Sequence, residues 1–140
     1  MISHFMAAII APLALQAAEA PISGDTSPLA SEPPVSLTSF DQLPIEEAAT
    51  ARCGVAFAVV GRWQREGGPR GANYPDMETG GGREFFVRAM ANLMDTRELD
   101  RVAVERLIVR EVTLLDSDEG SDRVEAMMPA CLLMKQSAGL

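Results

Sequence analysis

The chain has 140 residues, a formal net charge of −8, two cysteines and one histidine. That length holds one small domain and no more. The twelve basic residues alternate with carboxylates and do not cluster, which argues against nucleic acid as a partner because phosphate binding needs a net basic face.

The N-terminus reads as an export signal. Phe5 to Ala18 is an apolar stretch of h-region length, and Ala18-Glu19-Ala20 has the small-x-small form of a signal peptidase site. Pro12 and Gln16 interrupt the stretch, and it is too short for a membrane span of about 20 apolar residues. The absence of Lys or Arg before it counts against an export signal, and Pro21 would follow the cut directly, which makes cleavage after Ala17 or Ala18 the alternative. Residues 1–20 are therefore expected to be a signal peptide, leaving no stable membrane span after processing. His4 lies inside it, so the mature chain would carry no Ser-His-Asp or Cys-His nucleophilic machinery.

Residues 21–42 are rich in Pro, Ser and Thr and lack both helical and alternating periodicity. Such a composition buries too little apolar surface to offset its ordering entropy, and predicts a flexible tether. Residues 43–136 then read as a helical domain. Pro44 suits the first position of a helix that Gly67-Gly68 ends near Arg65, with Glu46 and Glu47 in the first turn. Ile45, Ala49, Cys53, Ala56, Val60 and Trp63 recur at steps of three and four, and Phe57 and Val59 widen that face.

A Gly- and Pro-rich loop from Gly67 to Gly82 leads to a second helix over 83–94, with Phe85, Phe86, Ala89, Met90, Leu93 and Met94 inward. A third helix runs from near Asp100 to Leu115 with Val104, Leu107, Ile108, Val112 and Leu115 inward; Asp95, Thr96 and Asp100 each offer an N-cap. The last element starts after Ser121 or Asp122, and Pro129, which has no amide hydrogen, must bend or end it. Nothing alternates long enough to build a sheet. The expected fold class is all-α, a small bundle of about four helices.

Cys53 and Cys131 both sit among apolar residues. In a reducing compartment they would be inert core thiols, whereas export favours a disulfide between them. Such a bridge closes most of the folded region and stabilises by about 4 kcal/mol in the chain-entropy model. A redox role needs a CxxC spacing or a nearby cation, and zinc needs four ligands. Neither condition is met, so no metal and no cofactor is expected.

Other constellations are weaker. Asp116 to Asp122 alternates carboxylates as a calcium loop does, but Gly120 falls one place early and Met127 stands where the bidentate glutamate belongs. Thr79-Gly80-Gly81-Gly82-Arg83 could offer helix amides to an anion, yet it lacks GK[ST] and reads better as a hinge. Asp95, Asp100 and Glu111 could be acid-base carboxylates or merely caps and solvated faces. Trp63, Tyr74, Met127 and Met128 are the candidate binding surface, with core filling as the alternative.

ARCGVAFAVV from Ala51, GREFFVRAMANLMD from Gly82 and MMPACLLM from Met127 resemble a group of small exported hypothetical proteins from alphaproteobacteria. The resemblance covers most of the folded region, carries no catalytic motif, and implies export without a particular activity. In architecture alone the chain is similar to HdeA-like acid-stress chaperones and to the immunity proteins of secreted amidases. The resulting expectation is a non-enzymatic binding protein of the cell envelope, periplasmic or secreted, with another envelope protein or an unfolded client as partner. An acid-stress chaperone and a small carboxylate-dependent hydrolase are the alternatives.

Overall fold

The structure, a computed structural model, describes residues 36–140. The expected signal peptide and most of the expected tether lie outside those residues. Four helices follow one another: α1 (Ile45–Arg65), α2 (Gly82–Arg97), α3 (Arg101–Leu115) and α4 (Asp118–Ser137), with short 3-10 turns at Phe40–Gln42 and Gly71–Asn73. Among the described residues there is no strand, and the all-α bundle holds.

The domain begins before residue 43. Ser39 and Gln42 form a capping box around the first 3-10 turn, and this ordered turn drives Phe40 into the core at 1% exposure. The polar composition that predicts a tether hides one aromatic anchor, and burying a Phe outweighs the ordering of a few residues. Ile45, expected inward, is instead 87% exposed, because Phe40 and Leu43 already fill that end of the core.

α1 is the central helix and touches α2, α3, α4 and both 3-10 turns. From Cys53 to Gly61 only Ala58 is exposed. Pro44 is its N-cap, its carbonyl accepting from the Ala48 amide at 2.9 Å, one place before the expected position. The C-terminal end is a Schellman motif: Gly67 at φ +70° donates to the Gln64 carbonyl and Gly68 donates to that of Trp63.

α2 runs opposite to α1, pairing Arg97 with Glu47 at its far end and Phe85 with Phe57 at its near end. The Phe57 and Phe85 rings meet edge to face with centroids 5.3 Å apart. Gly54 faces α2, where a Cβ would lie 3.4 Å from the Cα of Phe86, an ordinary contact distance. Asp95 and Thr96 fall inside α2 and cap nothing; the Asp100 carboxylate accepts from the Ala103 amide and starts α3.

The last connection differs most from expectation. Ser117, not Ser121 or Asp122, caps α4 by accepting from the Gly120 amide, and Asp118 and Glu119 occupy the first turn, where the helix dipole favours them. The acidic run is thus helix start, not loop. Gly120 is required there: a Cβ would fall 2.2 Å from the Leu114 carbonyl oxygen. Pro129 lies within α4, which continues to Ser137. The position is exposed, as is Glu125, whose carbonyl loses the helical partner and faces water.

Cys53 of α1 and Cys131 of α4 form a disulfide with Cα atoms 5.2 Å apart. Around it packs one core that includes Val55, Val60, Val104, Leu107, Leu115, Val124 and Met128. Ile108 and Val112 sit half-buried at its edge.

Candidate functional site

The loop between α1 and α2 borders one cavity, and it is held rather than loose. The Gln64 side chain donates to the Gly71 and Pro75 carbonyls at 3.1 and 2.9 Å and accepts from the Met77 amide at 2.9 Å. Met77 is thereby buried beneath Gly82, where a Cβ would fall 2.8 Å from its sulfur. Lys135, the chain's one lysine, is buried on α4 and donates to the Gly80 carbonyl. The hinge reading of 79–83 therefore gives way to a fastened turn. An anion there would find the Arg83 amide already bonded to the Met77 carbonyl.

Next to this turn a groove of about 620 Å³ opens between α1 and α2. Phe57, Gly61, Met77 and Phe86 form its floor, and Ala58 and Val87 its sides. Val87 is 56% exposed. Because the two helices are antiparallel, Arg65 and Arg83 share one end of the groove with Glu78. Arg83 pairs with Glu78 at 3.1 Å, whereas Arg65 has no ion pair among the described residues. The groove is thus apolar along its length and carries one positive charge at one end.

None of the four residues expected to form a binding surface lines it. Met128 is fully buried at 0% exposure, one turn from Cys131, and is a core residue. Trp63 and Tyr74 are half-buried against the core. Met127, also half-buried, borders a different cavity. The groove's own residues were concealed by the helical period, which sorts positions 86 and 87 into inward and outward without saying that two helices leave a gap. Three consecutive apolar residues at 85–87 were the one available signal.

A smaller cavity, of about 290 Å³, is lined by Asp41, Arg52, Glu111, Arg123 and Met127 among others. Glu111, read as a cap or solvated residue, is buried at 7% exposure on the inward face of α3. Burial raises its carboxyl above the usual range, and Arg52, whose Nε lies 3.5 Å away, opposes that shift. Asp41 is held low by the Ser39 hydroxyl and then by the same Arg52 guanidinium, to which it is hydrogen-bonded. Two carboxylates with divergent proton affinities suit acid-base chemistry in principle. Here one guanidinium bridges both, which makes them a joint between the Phe40–Gln42 turn, α1 and α3.

This joint has a pH signature. Because Glu111 holds its proton more tightly folded than unfolded, its stabilising contribution is complete below its ordinary pKa of 4.5 and is lost as pH rises through the raised value. Glu111→Gln removes that loss while leaving Arg52 on Asp41. The expected outcome is a stability difference between variant and wild type that moves in the variant's favour as pH rises from about 4 to about 7, read by thermal melts at the two pH values.

Among the described residues no group of three His, Cys, Asp or Glu side chains could hold a metal ion. No family model, no curated protein and no solved structure matches the chain.

Proposed function

We propose that this is an exported binding protein of the cell envelope, without catalytic activity, whose α1–α2 groove receives an apolar segment of another envelope protein. The supporting observation is the groove itself: an apolar floor of Phe57, Met77 and Phe86, exposed Val87 beside it, and unpaired Arg65 at one end. An apolar segment that ends in an acidic residue would complement both features. The Cys53–Cys131 bond is in keeping with an oxidising compartment, and no helix among the described residues is long and apolar enough to cross a membrane.

Photo-crosslinking residues installed at Ala58 and Val87 test this in intact envelopes. The expected result is one discrete adduct whose linked peptide is apolar with a flanking acid, absent when Val87→Asp accompanies the Ala58 probe. Equal crosslinking from Leu133, an exposed apolar residue of α4 away from the groove, would overturn the reading.

Acid-stress chaperoning is the second reading, favoured by the way carboxylates tie separate elements together. Asp41 to Arg52, Glu47 to Arg97, Asp116 to Arg62 and the pair Asp122 and Glu125 to Arg70 each join two parts of the fold. Protonation would release all of them and leave the arginines repelling one another. Circular dichroism with a hydrophobic dye should then report loosening in acid; an unchanged signal down to pH 2 rejects this reading.

A further inference from the structure

We infer that the cleft between the end of α2 and the first turns of α3 binds a singly charged organic anion, an apolar chain ending in a carboxylate. The cleft measures about 570 Å³ and lies at the end of α2 away from the groove's arginines. Leu37, Leu99 and Ala103 give it an apolar lining, and Arg97, Arg106 and Arg110 border it.

The three guanidiniums are not equivalent. Arg97 is committed to Glu47 through two hydrogen bonds of 2.7 and 2.8 Å. Arg106 and Arg110 make no ion pair among the described residues and stand one turn apart on α3. Residues at that spacing are surface neighbours, so both can reach the oxygens of one carboxylate. The opposing charge in the cleft is Glu98, which holds a left-handed backbone at φ 51° where α2 ends.

The charge balance selects the ligand. Two unpaired guanidiniums against one carboxylate leave a single positive charge, in a protein whose formal charge is −8. A monoanion matches it, whereas a multiply charged anion would meet Glu98 and the acidic surface beyond. The apolar lining adds a demand that a small inorganic ion cannot meet. Asp41, the other carboxylate near Arg110, is hydrogen-bonded to Arg52, so Arg110 stays without an ion pair among the described residues.

Decanoate is a suitable probe, titrated calorimetrically into the full oxidised chain, with decanol and inorganic phosphate as the apolar-only and charge-only controls. Decanoate is expected to bind more tightly here, where two guanidiniums are unpaired, than in the α1–α2 groove, where one is, and Arg106→Gln with Arg110→Gln to weaken this tighter site at least about tenfold, the loss expected from charge-assisted hydrogen bonds. Glu98→Gln should tighten it, and Val87→Asp, in the other groove, should leave it unchanged. Both arginines are exposed, so the double variant should keep its helical signal. Amide chemical-shift changes at Leu99, Ala103 and Arg106 on decanoate addition give a second reading that needs no variant. Failure of decanoate to bind, equal binding of decanol or phosphate, indifference to the arginine substitutions, or shifts confined to the α1–α2 groove would each overturn the inference.

Discussion

Replacing Cys53 and Cys131 by serine is expected to remove about 4.5 kcal/mol of stability, the loop-closure value for a bridge whose ends are 78 positions apart. Small domains are stable by about 5–15 kcal/mol in total, so the variant should be partly unfolded at 37 °C. The position of the bond makes the effect global. It joins α1, which every other helix packs against, to α4, the last element of the chain, and both sulfurs are buried in the core. Urea melts of the oxidised protein and of the double variant measure the difference directly. A midpoint that hardly moves would mean that the packing of α4 on the rest of the bundle suffices without the bond. Reducing agent applied to the folded protein should act slowly, since the buried sulfurs become accessible only when α4 detaches.

Phe57→Ala should cost about 3–5 kcal/mol, the range for truncating a buried aromatic side chain. Its ring is 1% exposed, lies edge to face with Phe85, and fills the space between α1 and α2 beside Met77. Phe57→Leu keeps most of that volume and should cost less than about 1.5 kcal/mol. The same ring is the floor of the groove, so the alanine variant would confuse lost folding with loss of the proposed binding. Ala58 and Val87, which stand at the groove's sides without belonging to the buried core, separate the two. Chemical denaturation of Phe57→Ala and Phe57→Leu side by side tests the assignment, and equal small losses would show that the ring is not a packing centre.

Helix content was legible because it rests on local rules. The apolar stripes at 85, 89, 93 and 104, 107, 115, the Gly67-Gly68 stop and the Asp100 cap all appear in the structure at or near the expected places. Errors gathered at positions where two local rules compete. Ser117 and Ser121 both offer a hydroxyl at the start of α4, and the decision falls to Gly120, whose missing Cβ lets the backbone turn tightly against Leu114. Phe40 lies in a stretch whose average composition is polar, and an average cannot register a single anchor.

The candidate site was less legible for a related reason. Periodicity distinguishes inside from outside on one helix, but a groove is a property of two helices and the loop between them. Met128 and Val87 are both apolar; only packing decides that the first is sealed in the core while the second faces an open cavity. Glu111 is the same lesson in charge. Its place on the inward stripe of α3 is periodic, yet whether a carboxylate there meets water or Arg52 depends on where α1 lies.

What the amino-acid order determined by itself is the set of helices, since backbone capping, turn chemistry and apolar spacing act within a few residues; for the cysteines it allowed one intramolecular bond without deciding between a bond and two buried thiols. What only the tertiary structure decided is which apolar residues are left uncovered and which charges meet. Those outcomes depend on the distance and direction between helices, which the close approaches at Gly82 and Gly120 and the facing aromatic rings set together.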